Sequence, residues 1–470
     1  MPVFSSTKFA EWCGGRWDPA APDEIQDVSI DTRALVPGNL YFALKGEIFD
    51  GHEFIAEAFE KGAGSAVVKE KQWATSEKLR SASGPLLLVD DTAKALRDIA
   101  AAYRLEVNPT IAAITGSAGK STVKEMTAQI LAYGVSTAYT RGNFNNNIGL
   151  SLSLLAIEKS SRIGVFELGM NHRGEISELC KILKPDWGVV TNVGPAHIEF
   201  FNSVEAIAEE KSCLLKSLPA DGAAILNRDS RFFDLLSLSA QCKVTTVSIL
   251  RDADYQYIKS SVAPAEDGKE KNEILIKEKS TGEKFVFRTT LPGKYNISNI
   301  MLAIAAARLY GIEWKKIYTA IENYIPLSMR WEEKEINGIK IINDAYNANP
   351  ISMRASIQAF DEKKTEGKKW LVLGGMLELG KNEKWEHLGL GKFIGLETGT
   401  WSGLIVTGLP GALIAQGAMD VGFRKDHIYC CKNNNEAAEV IKAEVAKGDT
   451  IFLKGSRKIR LEEIVERMLS

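Results

Sequence analysis

The segment AAITGSAGKST at 112–122 constrains this chain more than any other, because it sets a glycine turn ending in Gly-Lys-Ser-Thr between a strand-forming and a helix-forming run. Glycines let backbone N–H groups close around phosphate oxygens, and the helix N-terminus adds partial positive charge. A lysine and a hydroxyl at the helix start then reach the β and γ phosphates and Mg2+. The candidates for such a cradle are Thr115, Gly116, Ser117, Ala118, Gly119, Lys120, Ser121 and Thr122. The usual spacing is departed from at Ile114, where a glycine is expected, and the plainer alternative is a glycine turn before a helix. No Asn-Lys dipeptide of the kind that reads guanine occurs anywhere in the chain, so ATP is the expected nucleotide.

Strand, turn and helix in that order imply an α/β unit on a parallel sheet, and the pattern recurs along the chain. Its 470 residues suffice for about three folding units. In the first, residues 1–108, the runs 40–44, 65–68 and 85–89 read as strands, and 51–62 and 92–104 as helices. Asn108-Pro109 ends it, since a residue before proline is driven out of the helical region. The second, residues 109–325, has strands at 110–114, 163–168, 187–191 and 223–226 and a helix carrying Val123, Met126, Ile130 and Leu131. Its polar stretch 262–279 reads as a surface hairpin or excursion, followed by a helix at 297–310. The third, residues 326–470, has strands at 339–343, 370–373, 404–407 and 450–453, and a last helix with Leu461, Ile464, Val465, Met468 and Leu469 on one face. The expected fold is three α/β domains, with a central P-loop ATPase domain on a mainly parallel sheet and a C-terminal Rossmann-like domain.

Lysine plus arginine number 58 against 60 acids, a net charge of −2, which leaves no global field to gather nucleic acid or anionic lipid. No apolar run approaches the roughly 20 residues of a membrane span, and the first residues lack the pattern of a secretory signal. A cytoplasmic protein is expected. The six cysteines form no Cys-x-x-Cys pair, and adjacent Cys430 and Cys431 read as strand filling.

Glu167 and His197 fall at or just beyond the ends of expected strands, where α/β sheets place ligand groups, and together they suit a divalent ion beside ATP. Taken singly, Glu167 also reads as a cap or ion pair, His197 as a loop hydrogen bonder and Lys211 as a surface charge.

TGSAGKST, TRGNFNNNIGLSLSLL, ELGMNHRGEI and TNVGPAHIEFF together resemble the Mur ligase family, and the resemblance runs the length of the chain through SIDTRALVPGNLYFALKGEIFDGHEFI, GKYNISNIMLAIAAA, NDAYNANPISMRASI, LGGMLELG and LKGSRKIRLEEIV. Within the family it is nearest the ATP-dependent ligases that add D-alanyl-D-alanine to the UDP-N-acetylmuramoyl-tripeptide of peptidoglycan synthesis. The resemblance implies that Lys120 neutralises phosphate, that Ser121 holds one Mg2+, and that Glu167 and His197 hold a second, assisted by a carbamylated Lys211. It implies that Asn299, and less directly Asn296, contact adenine, that Asp344 binds ribose, and that Arg330 approaches the γ-phosphate. Asp31, Thr32, Arg33, Lys45 and Gly46 correspond to the UDP-substrate site, and Asn143, Asn145 and Asn146 to contacts around sugar and peptide. Asn347, Asn349 and Pro350 correspond to the place of the incoming amine, with Lys454, Ser456 and Arg457 as candidates for a carboxylate.

Three positions depart from the family pattern: Thr32 for serine, Met329 for glycine and Gly375 for aspartate. Because the three sites lie on three domains, closure of the third about Pro326 is expected, and a monomer is expected. Alternatives are a folylpolyglutamate synthase-like ligase, which leaves the 31–52 segment unexplained, and an inactive precursor-binding scaffold.

Overall fold

The computed structural model describes residues 3–264, 270–396 and 401–469. Its centre is a nine-stranded sheet in the order Lys284–Thr289, Glu270–Glu278, Tyr255–Pro264, Lys243–Ser248, Ala223–Asn227, Trp187–Val190, Thr110–Thr115, Ile163–Glu167, Thr137–Tyr139. Pairing is parallel from Thr137–Tyr139 through to Tyr255–Pro264 and antiparallel in the last two pairs. Thr110–Thr115 lies mid-sheet, where near-continuous apolar sequence is buried on both faces. Small Ala112 and Ala113 leave room there for helices on either side. Val123, Met126, Ile130 and Leu131 of helix Lys120–Ala132 are buried as their spacing predicts. That helix packs against Lys294–Leu309, whose eleven buried residues fit its nearly uninterrupted apolar sequence.

The stretch expected as a surface hairpin or excursion belongs to a hairpin, in which Tyr255–Pro264 pairs antiparallel with Glu270–Glu278. Tyr255–Pro264, Glu270–Glu278 and Lys284–Thr289 extend the central sheet, and Ile274, Ile276, Phe285 and Phe287 bury one face. Burial alternates along the last two strands, with Glu273, Leu275, Lys277, Lys284, Val286 and Arg288 on the more open face, so mean polarity hides a period of two. Residues 265–269 of that stretch lie outside the described residues.

The first section forms a five-stranded sheet in the order Arg16–Asp18, Leu86–Val89, Ser65–Lys69, Leu40–Phe42, Val28–Ser29. The single helix expected at 51–62 is a 3-10 turn, Gly51–Phe54, followed by a short α-helix, Ile55–Glu60. Asp50 accepts a hydrogen bond from the His52 amide at 3.0 Å and from this side chain starts the tighter turn. Helix Thr92–Val107 starts on Asp91 and ends on Asn108 at a φ of +48°. Its inner face packs on the helices Asn147–Leu155 and Glu175–Leu183, so one apolar core runs from the first sheet into the central one.

The last section is a six-stranded sheet in the order Glu332–Ile336, Ile339–Asn343, Thr450–Lys454, Lys369–Leu373, Trp401–Thr407, Ile428–Cys431. All pairs are parallel except the charged edge strand Glu332–Ile336. Ile464, Val465 and Met468 of helix Glu462–Leu469 are buried against it, while Leu469 is exposed. Cys431 is buried and Cys430 exposed, so only one of the pair fills the strand. No helix among the described residues is long and apolar enough to cross a membrane.

Candidate active site

Register brings the first site residues together. Ile114 pairs with Glu167 on one side, and Thr115 with Val190 on the other. The glycine turn, Glu167 and the Thr191-Asn192 pair therefore leave the sheet together at the carboxyl ends of three adjacent parallel strands. The turn is fitted to its neighbours at backbone level. A Cβ on Gly116 would lie 1.8 Å from Thr191 Oγ1, and one on Gly119, at a φ of +80°, 2.5 Å from Asn299 Oδ1. Thr191 Oγ1 donates to Ala118 O at 2.5 Å, and Asn192 Oδ1 accepts from the Ala118 amide at 2.9 Å. Ser117 Oγ donates to Gly194 O at 2.9 Å and Thr115 Oγ1 to Leu168 O at 2.9 Å. Lys120 Nζ donates to Gly116 O at 3.0 Å, folding its charge over the turn. Its burial, opposed by Glu167 and reinforced by Arg330, lowers its pKa.

A cavity of about 510 Å³ opens above this turn. Ser117 to Thr122 line its floor, Asn143, Asn145, Asn146, Glu167 and His197 one side, and Asn296 and Asn299 another. Arg330, Asp344, Asn347 and Asn349 come from the last section. Asn296 and Asn299 lie one turn apart near the start of their helix, where Asn299 Nδ2 donates to Asn296 Oδ1 at 3.2 Å. Thr115, Gly116, Lys211 and Pro350 stand behind the wall rather than on it, Pro350 as the first residue of helix Pro350–Glu362.

Glu167 is 2% exposed; its Oε1 accepts from Asn145 Nδ2 at 2.8 Å, while Oε2 is buried with no partner. A carboxylate oxygen left bare in this way is costly unless a cation meets it. His197, at a φ of +58°, brings Nδ1 to 2.6 Å from Glu378 Oε2, an ion-pair contact outside hydrogen-bond alignment. The His197 ring holds the Glu378 carboxyl below its usual range. Among the described residues no three His, Cys, Asp or Glu side chains cluster as a metal cage. The bare Glu167 Oε2 is the kind of donor Mg2+ takes, since that ion accepts one or two carboxylates and completes its shell with phosphates and water.

Lys211 lies on helix Val204–Lys216 and is 2% exposed. Burial and then the charge of Lys120 push its pKa well down. Adjacent Glu210 opposes this, but its carboxylate accepts from the amides of Gly174 at 2.8 Å and Ile176 at 2.9 Å.

Arg330 reaches in from the last section. Its Nη2 donates to Ser121 Oγ at 3.0 Å, and its guanidinium sits 4.2 Å from the centre of the Tyr346 ring. Asp344 accepts from the Trp331 amide at 3.1 Å, from Ser356 Oγ at 2.7 Å and from Lys454 Nζ at 2.5 Å. Lys454 is thus engaged by a carboxylate of the chain itself. Ser456 Oγ accepts from the Leu377 amide, and Arg457 pairs with Glu462. Asn349 caps its helix by accepting from the Ser352 amide at 2.9 Å and donates from Nδ2 to Ser117 O at 3.0 Å, so its amide joins two sections.

The first-section candidates lie apart from this cavity. Arg33 donates to Asp31 from Nε at 2.9 Å and from Nη2 at 2.6 Å, drawing that carboxyl down to about 2. Thr32 Oγ1 donates to Glu57 Oε1 at 2.9 Å. The backbones of Lys45 and Asp50 pair antiparallel, and the Gly46 amide donates to Phe49 O at 2.9 Å, shaping one loop. Thr191, Asn192, Tyr346 and Glu378 escaped selection by sequence as site residues. Their only signal was a place inside the quoted motifs.

A nucleotide cradle, a bare carboxylate and an arginine from another sheet define a phosphate-transferring α/β enzyme. Residues 24–104, 114–307 and 329–457 match, in turn, the models for the Mur ligase family catalytic domain, the Mur ligase middle domain and the Mur ligase glutamate ligase domain. The chain belongs to the Mur ligase family. It is 37% identical over 446 residues, 95% of this chain and 93% of the relative, to the UDP-N-acetylmuramoyl-tripeptide--D-alanyl-D-alanine ligase of Bacillus subtilis (strain 168). Among solved structures, MurF from Acinetobacter baumannii superposes with a TM-score of 0.88 at 26% identity, covering 100% of this chain and 99% of that one. MurF ligase from Thermotoga maritima in complex with ADP gives 0.79 at 26% identity, covering 94% and 96%.

Proposed function

We infer that this chain is the ATP-dependent ligase that joins D-alanyl-D-alanine to UDP-N-acetylmuramoyl-tripeptide, yielding the pentapeptide precursor of peptidoglycan. The observation that carries this reading is the convergence of Lys120, Ser121, Glu167 and Arg330 on one cavity, beside relatives of that name that match nearly end to end. The tripeptide carboxylate attacks the γ-phosphorus of ATP, and ADP departs to leave an acyl phosphate. The D-alanyl-D-alanine amine then attacks the activated carbonyl, and the tetrahedral intermediate expels phosphate as the amide forms.

The tasks proposed for the residues combine their place in the cavity with the family resemblance. The backbone from Gly116 to Gly119 and Lys120 cradle the β and γ phosphates, and Arg330 supplies fixed positive charge where phosphoryl charge develops. Asn299 and Asn296 face the base and Asp344 the ribose. Ser121 would hold one Mg2+, and Glu167, His197 and a carbamylated Lys211 a second. These ions supply charge neutralisation between nucleotide and carboxylate. The depressed pKa of Lys211 favours the neutral amine that carbamylation requires.

Residues 1–108 hold the UDP end through Asp31, Thr32, Arg33, Lys45 and Gly46, residues 109–325 hold ATP, and residues 326–470 receive D-alanyl-D-alanine near Asn347, Asn349 and Pro350. Asn143, Asn145 and Asn146 meet the sugar and peptide. The chain is read as a monomer, and the need for ATP supports a cytoplasmic setting. The test is product mass: Mg-ATP, the UDP-linked tripeptide and D-alanyl-D-alanine must yield the pentapeptide together, and none with any one omitted. Binding of the UDP-substrate without any turnover would favour an inactive scaffold.

A further inference from the structure

Glu378 belongs to neither the nucleotide cradle nor the residues assigned to substrate, yet it touches the central section twice. Its Oε2 lies 2.6 Å from His197 Nδ1, and its carbonyl oxygen accepts a hydrogen bond from the Glu199 amide at 3.1 Å. Side chain and backbone of one residue thus grip the same short turn. Both Glu378 and His197 hold positive φ, +61° and +58°, which residues other than glycine adopt only when their surroundings impose it.

The segment that carries Glu378 is braced from below. Buried His387 accepts from the Met376 amide through Nε2 at 2.8 Å and directs Nδ1 to Glu383 O at 2.7 Å. The next amide, of Leu377, donates to Ser456 Oγ at 3.0 Å. On the other side, Ile198 packs into the apolar core of the last section. A carboxylate on one ring nitrogen fixes the tautomer and orientation of a histidine and leaves the other nitrogen for a cation.

We propose that Glu378 is a positioning residue that orients His197 across the boundary between the central and last sections, so that Nε2 faces the cation site only when the two sections are docked. This rests on the reading of His197 as a cation ligand. Docking of the section that brings the amine would then also complete the site that activates the carboxylate. The bland reading, an ion pair 22% and 40% exposed on its two side chains, predicts almost no effect on turnover when broken.

Full-length Glu378→Ala, Glu378→Gln and His197→Ala would be compared by steady-state kinetics and by amide exchange over residues 197–201. Exchange would be read with and without AMP-PNP, Mg2+ and the UDP-linked tripeptide. In Glu378→Ala, kcat is expected to fall about 10–100-fold, with KM for ATP held within about twofold, and ligand-induced protection of the turn is lost. Glu378→Gln, which keeps the side-chain shape and an oxygen beside Nδ1 but not the charge, recovers part of both. Wild-type kcat in Glu378→Ala overturns the role, as does reduced kcat with unchanged protection, since the effect then bypasses the turn. Full activity in His197→Ala removes the cation-site reading itself, whereas an inactive His197→Ala beside a fully active Glu378→Ala removes only the role of Glu378.

Discussion

Arg330 and Ser121 lie 209 positions apart in the chain and are joined by a hydrogen bond of 3.0 Å from Nη2 to Oγ. The contact places a guanidinium from the last section at the first helical turn of the phosphate cradle. Arg330 Nε is buried without a partner, so the group retains a donor for an incoming anion.

Removing that charge is expected to act on the chemical step. Arg330→Ala should lower kcat by about 10²–10³-fold, the range for deleting one donor to developing charge, and Arg330→Lys should recover little because a point charge cannot serve Ser121 and phosphate in one plane. Steady-state kinetics with thermal unfolding as a fold control decides this. A variant within threefold of wild type, by the same measure of transition-state loss, would remove Arg330 from the reaction.

Met329 stands where the family pattern has glycine, and its φ of +57° explains the preference. Met329→Gly relieves about 1–2 kcal/mol of left-handed strain against about 0.5–1 kcal/mol of added chain entropy. Stability in urea should therefore stay level or rise. Met329→Val, branched at Cβ, should lower it.

Gly375 stands where aspartate is common, and the local packing accounts for the change. A Cβ there would lie 2.6 Å from Pro410 Cβ. Gly375→Asp alone should lose about 1–3 kcal/mol to overpacking, and Pro410→Ala in the same chain should recover most of it. Equal losses with and without Pro410→Ala would show that the clash lies elsewhere.

His387 is completely buried and accepts from the Met376 amide, so burial lowers its pKa from 6.5. The unfolded chain binds the extra proton first as pH falls. Stability from this group is therefore full above pH 6.5 and declines below it, until the folded-state pKa is reached. Urea midpoints between pH 8 and pH 5, spanning the ordinary range of histidine, should fall less steeply in His387→Gln than in the parent. Parallel profiles would exclude His387 as the source.

How much of this was legible in the sequence depends on distance along the chain. The phosphate turn, the strands beside it and the helix carrying Val123 and Met126 are local patterns, and the structure reproduces them. Strands Lys243–Ser248 and Glu332–Ile336 were missed, the second because its residues are charged and its place at a sheet edge is a tertiary fact. Glu167 was read from its strand end, but its bare Oε2 emerges only once Asn145 has taken Oε1. Glu378 had no signal of its own because its partner His197 meets it only when separate sections dock, and Tyr346 had none because it meets Arg330 only once the last section has folded.

The most direct measurement follows oxygen. With 18O in the terminal carboxylate of the UDP-linked tripeptide, one labelled oxygen should leave in inorganic phosphate as the pentapeptide forms, because the acyl phosphate carries it between carbon and phosphorus. Pentapeptide accompanied by unlabelled phosphate would contradict carboxylate activation by ATP, and with it the role assigned to the cavity around Lys120 and Arg330.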